Sequence, residues 1–403
     1  MNTSKTRVVI VGAGQAGGRA AEALRAAGHT GPITLIGEEA HLPYERPQLS
    51  KAILLDSEPN PAFIRNANGW ADLDVKLSTS SRAVAADVNR REIGLKDGKT
   101  FAFDQLLLAT GTRPRRMPEL ERGPLPVNYL RCMDDALTLR SALQPGKNVV
   151  LVGGGVIGLE VASAAIARGC NVTVLEKAAT VLPQVGSAVL SRYAETLHTA
   201  KGVCIRCGVS VIRATTDGIE LSDGTVVLAD VVLVGIGVEA SVEIAQQLGL
   251  KGQKGIKVDT SGATGIDGVY AAGDVAEQWS RCHGRWMRLE NWANAQNQAI
   301  ATAKNMSGET TVYEAPPWFW TDQHGINIQI VGHPGAGEEI VKGDVAGGRF
   351  TTLSVRDGEV VGGIAANTAR DMSVLRRLVV SRKRISRDDI ENPHFELKRS
   401  LVS

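Results

Sequence analysis

The sequence predicts an α/β protein built from two copies of one strand–turn–helix unit, followed by a smaller α+β domain. Three observations predict it. Val8-Val9-Ile10-Val11 runs into Gly12-Ala13-Gly14-Gln15-Ala16-Gly17, and Val149-Val150-Leu151-Val152 runs into Gly153-Gly154-Gly155-Val156-Ile157-Gly158, so an apolar strand meets the same glycine spacing twice. Each turn leads into small and apolar residues at helical spacing, then into a second apolar run that ends near an acid. Beyond Pro316-Pro317 the pattern changes to strands joined by short turns.

In the first unit Ala16, Ala20, Ala23, Leu24 and Ala27 form the helix stripe, Ile33 to Ile36 the next strand, and Glu38 the acid. In the second, Ile157, Val161, Ala164 and Ala165 form the stripe, Val172-Thr173-Val174-Leu175 the strand, and Glu176 the acid, 23 residues after Gly153. The first glycine of each unit makes the tight turn, the second lets backbone approach a phosphate, and the third lets helix and strand pack closely. The helix N–H groups and dipole then hold an anion, and the acid accepts from ribose hydroxyls. Gly12, Gly14, Gly17 and Glu38 are thus candidates for one dinucleotide, and Gly153, Gly155, Gly158 and Glu176 for another. A single such turn is weak evidence, but two in this context predict a flavin and a nicotinamide.

A chain of 403 residues holds two or three domains, and its net charge of +2 points to neither nucleic acid nor an acidic membrane as partner. No apolar run approaches the roughly 18 residues of a membrane span. The N-terminus shows no secretory signal, so a cytoplasmic protein is expected. Five cysteines make no disulfide framework, and Cys204-Ile205-Arg206-Cys207 lies in a strand-like stretch whose positions i and i+3 face opposite ways. The seven histidines show no helical-spacing pairs with each other or with cysteine, so no metal is expected.

After the first unit, the segment His41 to Lys51 is punctuated by proline and carries Arg46 and Lys51, either as a surface loop or as cations along the cofactor. Val75 to Leu77, Ala83 to Val88 and Glu92 to Leu95 read as strands, with Asp97-Gly98 as a hairpin turn. Phe103 to Gly111 reads as a buried strand ending in small residues, and Ala109 there permits close approach of a cofactor. Thr112 to Pro126 marks the crossing into another domain, which ends near Val231 to Gly237. Gly268 to Asp274 is a strand stopping on Gly-Asp; Asp274 either caps the next turn or accepts from a sugar-like chain. Arg288 to Gln298 opens a helix with Asn291 as cap, Trp292 in its first turn, and a positive end suited to a reduced flavin ring. Glu290 is either a dipole acid or a holder of a nicotinamide carboxamide. Trp318-Phe319-Trp320 is a core or interface cluster, and strands at Ile326 to Val331, Arg349 to Val355 and Glu359 to Ile364 complete the C-terminal domain. The tail from Leu375 to Arg387 carries six cations, either a solvated face or a docking patch for an acidic protein.

With both glycine units, Arg46-Pro47-Gln48-Leu49-Ser50-Lys51, Leu108-Ala109-Thr110-Gly111, Ala272-Gly273-Asp274, Asn294 to Gln298 and Trp318 to Gln323 in order, the chain resembles the FAD-dependent ferredoxin–NAD(+) reductases of bacterial oxygenase systems over essentially its full length. The resemblance implies a glutathione-reductase-like fold: two Rossmann-type domains, FAD-binding at 1–112 and 237–315 and NADH-binding at 113–236, with a C-terminal interface domain at 316–403. It implies that Gly12, Gly14, Gly17, Glu38, Arg46, Lys51 and Asp274 hold FAD, with Trp320 near the flavin ring; Ala109, Gly237 and Trp292 are further cofactor-binding candidates. Gly153, Gly155, Gly158 and Glu176 would hold NADH, and Glu290 would lie near the nicotinamide. Lys51 and Glu160 resemble the ion pair that the family keeps beside the flavin's reactive edge, and with Trp320 they are the catalytic candidates; from the residues alone Glu160 is a helix-dipole acid. The activity implied is hydride transfer from NADH to FAD, then single electrons to a [2Fe-2S] ferredoxin, with Arg382, Lys383 and Arg384 as docking candidates. The oxygenase implied is an aromatic-ring-hydroxylating dioxygenase. A rubredoxin, a P450 ferredoxin or a quinone are alternative acceptors, and an NADH-responsive binding flavoprotein is the alternative class. Glu176 favours NADH over NADPH, although Lys177 adjoins it. Segment 47–49 has Pro-Gln-Leu where relatives often have two prolines, and no cysteine precedes Cys132, unlike disulfide reductases.

Overall fold

The computed structural model describes residues 5–252, 254–280, 284–385, 387–392 and 396–401. The chain forms two compact units, Met1–Gln48 with Asn60–Arg113 and Val238–Ala315, and Leu49–Pro59 with Pro114–Gly237 and Pro316–Ser403.

The first unit is built on a five-stranded parallel sheet in the order Val269–Ala271, Gln105–Leu108, Val8–Val11, Ile33–Ile36, Val75–Ser78. Val8–Val11 sits centrally with all four residues buried, because both faces are covered. Val8 and Ile10 pack with Ala20, Leu24, Ala299 and Ala303 of the helices Gln15–Ala26 and Trp292–Met306, while Val9 and Val11 pack on the opposite face with Ile244 and Leu248. This two-residue alternation is the strand period. The alanine stripe lets these two helices lie close together.

The second unit repeats the plan. Its parallel sheet runs Cys204–Cys207, Asn171–Glu176, Asn148–Val152, Val231–Val234, Val127–Asn128. Val149 and Leu151 join one core, and Val150 and Val152 another. The first of these cores continues into an antiparallel sheet ordered Trp318–Gln323, Ile326–Gly332, Glu359–Ala366, Arg349–Arg356, Glu338–Asp344, through Ile328, Ile330, Phe350 and Ile364. The helix Ala369–Ser381 covers the other face of that sheet with Met372, Leu375 and Leu378.

The sequence pattern did not reveal the helices Met133–Ala142 and Ala188–Ala200 or the strand Glu338–Asp344. One stripe residue also departs from expectation: Ile157 is 44% exposed, because it lies on the first helical turn, where the sheet strands have already ended. The excursion Leu49–Pro59 leaves the first unit and is bound in the second by guanidinium groups. Arg168 donates to the carbonyls of Leu54, Leu143 and Arg140, and Arg140 donates to those of Leu54 and Ser57. Three of these donations, two to Leu54 and one to Ser57, hold a segment that has only one short helix, Ala52–Leu55.

Candidate functional site

The first glycine turn is sterically closed to any side chain. Gly12 has φ +112° and donates to Ile36 O at 2.8 Å; a Cβ there would collide with Ala109 O, and one on Gly17 would collide with Gly12 O. Gly14 is the N-cap of Gln15–Ala26 in extended conformation, with no side-chain cap bond, so the first-turn N–H groups have no side chain drawn over them. Gln15 is buried and donates to Gln296, but its own Oε1 has no partner. An uncapped, glycine-lined helix start fits a dinucleotide pyrophosphate.

Arg46 reaches this turn, since a Cβ on Gly14 would lie 3.7 Å from its guanidinium. Glu39 orients it, accepting from Arg46 at 2.6 Å and from Tyr44 OH at 2.6 Å. Sequence reasoning missed Glu39 because it chose the neighbouring acid. Glu38 lies 66% exposed in its side chain, 3.4 Å from Arg82. Asp274 sits in the short turn Gly273–Val275, where Gly273 has φ +80° and donates to Gln298 Oε1 at 2.9 Å. Glu290 pairs with Arg288 at 2.5 Å, and Asn291 caps Trp292–Met306 by accepting from Asn294 N at 2.8 Å.

The second turn has the same design. Gly153 has φ +111°, and Cβ atoms on Gly153 and Gly158 would collide with Gly235 O and Gly153 O. Gly155 is an extended N-cap without a side-chain bond. Glu176 is buried at the end of its strand and accepts from Gly154 N and Ala178 N, both at 2.7 Å. These amides hold the carboxylate beside the turn with lone pairs left to accept hydroxyls. Gly237 has φ +103° with open space where a Cβ would stand, so conformation rather than crowding requires glycine there.

Lys51 and Glu160, 109 residues apart, meet in the second unit with Nζ to Oε1 at 2.7 Å. Glu160 is 3% exposed and also accepts from the Ser50 hydroxyl and, at 2.7 Å, from the Thr321 hydroxyl. Trp320 lies half-buried beside Thr321 on the same strand, its ring 5.7 Å from that of Trp318, over which Arg376 stacks at 4.9 Å. The structure therefore brings Lys51 and Glu160 together and adds Ser50 and Thr321, which no local pattern marks.

Two of the histidines that show no pairing along the chain are paired in space. His198, completely buried, and His324 approach to 3.1 Å through Nδ1 and Nε2. Burial lowers the pKa of His198; burial and then the charges of His198 and Lys201 bring His324 to about 4. Unfolded histidine titrates near 6.5, so between about pH 6.5 and 4 the unfolded chain binds a proton at this position that the folded chain refuses. Stability from His324 is complete above pH 6.5 and is lost as pH falls through that window. His324→Asn, which suits the local φ of +50°, should reduce the drop in apparent Tm between pH 7 and pH 5. The effect expected is about 1 kcal/mol after allowance for solvent screening. An unchanged drop would refute this assignment.

Among the described residues no group of three or more His, Cys, Asp or Glu is arranged to hold a metal, and no helix is long and apolar enough to cross a membrane. Cys132, Cys170, Cys204 and Cys207 carry no disulfide; Cys282, His283 and His394 lie outside the described residues.

Residues 6–299 match the family model described as pyridine nucleotide-disulphide oxidoreductase, and residues 318–401 match the one described as reductase C-terminal. The chain belongs to the pyridine nucleotide-disulphide oxidoreductase family. Within this family it is 41% identical, over 100% of both chains, to the ferredoxin–NAD(+) reductase component of the p-cumate 2,3-dioxygenase system of Pseudomonas putida. It is 40% identical, over 98% of both, to the corresponding component of the anthranilate 1,2-dioxygenase system of Burkholderia cepacia. The reductase fold of the family is equally clear in three dimensions. The covalent putidaredoxin reductase–putidaredoxin complex matches with a TM-score of 0.93 at 32% identity, covering 98% of each chain.

Proposed function

We propose that the chain is the ferredoxin–NAD(+) reductase component of an oxygenase system, most closely of the aromatic-ring dioxygenase type, taking hydride from NADH and delivering single electrons to a [2Fe-2S] ferredoxin. The observation that carries this reading is the pair of uncapped, sterically closed glycine turns, one in each unit, within a chain similar along its whole length to reductase components. The cofactors are FAD and NAD(H). FAD, when bound, accepts a two-electron hydride and supports one-electron delivery.

This chain's residues do the rest. Gly12, Gly14, Gly17 and Arg46 hold the FAD pyrophosphate, with Ala109 and Gly237 permitting close approach and Asp274 accepting from the ribityl chain. The ribose acid is Glu38, with Glu39 orienting Arg46. Gly153, Gly155 and Gly158 hold the NADH pyrophosphate, and Glu176 accepts its ribose hydroxyls and disfavours a 2′-phosphate. Glu290, Trp292, Trp320 and the Lys51–Glu160 pair are the further candidates for serving the cofactor rings. The division into 1–112 with 237–315, 113–236 and 316–403 assigns FAD, NADH and the partner interface in turn. The protein works in the cytoplasm. Arg382 and Arg384, exposed beyond the helix Ala369–Ser381, with the half-buried Lys383 between them, form the ferredoxin patch.

The test is NADH-driven cytochrome c reduction with and without a [2Fe-2S] ferredoxin. Severalfold or greater stimulation by ferredoxin is expected. Arg382→Glu with Arg384→Glu should lower the stimulated rate at low salt and spare ferricyanide reduction. Absence of stimulation would refute the electron-relay reading, and equal loss of both activities would refute the docking patch.

A further inference from the structure

Glu160 is the inner end of a hydrogen-bond chain that crosses the second unit to a hairpin turn. Thr321 Oγ1 lies 2.7 Å from Glu160 Oε1, Gln323 Nε2 3.1 Å from Thr321 Oγ1, His198 Nε2 3.0 Å from Gln323 Oε1, and His324 Nε2 3.1 Å from His198 Nδ1. Thr321 and Gln323 are completely buried and alternate on one face of the strand Trp318–Gln323. His324 begins the turn at φ +50°, followed by Gly325 at φ +80°, and its N–H is held by Ser163 Oγ at 2.8 Å. Ser163 stands one helical turn after Glu160 on Val156–Ala167, so hairpin and helix are joined at both ends of the chain of bonds.

The direction of every bond follows from its inner end. An ionised carboxylate has no proton to give, so the Thr321 hydroxyl donates to it. The Thr321 oxygen then accepts from the Gln323 amide nitrogen, which leaves Gln323 Oε1 to accept from His198 Nε2. A neutral imidazole has one N–H. His198 directs that proton to Gln323, so its Nδ1 accepts, and His324 carries its own proton on Nε2. Both rings are neutral at pH 7, because burial lowers His198 and brings His324 to about 4. Reversal would require the Gln323 amide to turn over and set like groups face to face.

We propose that Thr321, Gln323, His198 and His324 are positioning residues for the Lys51–Glu160 pair, forming a one-way donor chain that fixes Glu160 Oε1 toward Lys51. The Ser50 hydroxyl holds the other oxygen, so the carboxylate cannot rotate without breaking two sets of bonds. The catalytic consequence rests on the reductase reading; the bonding order does not.

Two measurements test it. With 15N-labelled histidine at pH 7, long-range 1H–15N correlations should show His198 and His324 as neutral Nε2–H tautomers, assigned through His324→Asn and His198→Gln. An Nδ1–H tautomer or a charged ring at either position would overturn the donor chain. In stopped-flow reduction of the FAD-loaded protein by saturating NADH, Thr321→Val should slow flavin reduction roughly 10- to 100-fold with an unchanged Kd for NADH, and Thr321→Ser should restore the rate. Wild-type rates in Thr321→Val at full flavin content would overturn the positioning role. A wild-type protein that NADH does not reduce would sink the reductase reading instead, with the tautomers still deciding the chain.

Discussion

Gly12→Ala should yield a protein that retains no FAD, while Gly153→Ala should retain FAD and lose its response to NADH. Both glycines end a central strand, at φ +112° and +111°, where an L side chain is strained before any neighbour is considered. Neighbours then add to the strain. A Cβ on Gly12 would meet the carbonyl of Ala109, with Thr110 N at 3.0 Å, and one on Gly153 would meet the carbonyl of Gly235. These obstacles are backbone atoms immediately beyond the strands Gln105–Leu108 and Val231–Val234, which cannot move aside as a flexible side chain can. Backbone strain and overpacking together cost about 2–6 kcal/mol. The turn is expected to yield before the sheet does, because Val8–Val11 and Val149–Val152 keep their buried partners on both faces. The measurement is bound flavin per chain after desalting, with far-UV circular dichroism as the check on folding, followed by flavin bleaching on addition of NADH. Loss of flavin from Gly153→Ala with normal flavin in Gly12→Ala would exchange the two assignments.

Glu160→Leu is the second variant with a large expected effect. The carboxylate takes Lys51, Ser50 and Thr321 as donors while itself 3% exposed, so its removal takes this acceptor from an ammonium and two hydroxyls. Loss of one partner of a buried pair costs about 3–5 kcal/mol. The lower half of that range is expected, because the Lys51 side chain remains 21% exposed and recovers some hydration. Adding Lys51→Met to Glu160→Leu should recover part of the loss by removing the positive charge that faced the carboxylate. A denaturation series on the four proteins measures this coupling as a double-mutant cycle. Strict additivity would mean that the pair contributes no interaction energy and that Glu160 is held by its hydroxyl donors alone.

The parts of the site legible in sequence are those whose chemistry is local. A glycine turn, the strand before it and the helix after it occupy fewer than about 30 consecutive residues, and each glycine is required by contacts within that unit or with the adjacent strand. Glu176 was legible for the same reason, since a strand of fixed length carries it back to Gly154. Glu39 was not: Glu38 and Glu39 stand side by side, and only the path of the loop decides which faces Arg46. Ile157 shows the same limit within a helix, where periodicity names a face but not how far the sheet beneath it extends.

By itself the sequence determined that this protein has two glycine turns, each between a strand and a helix, an α/β core around each, and a C-terminal sheet of different pattern. Those features follow from side-chain period and from the backbone angles only glycine adopts freely. Tertiary structure alone decided that Ser50, Lys51 and Thr321 converge on one carboxylate, and that His198 meets His324 across 126 residues of chain. The physical reason is that a buried charge must find its donors wherever packing brings them, and packing depends on the whole core and not on spacing along the chain.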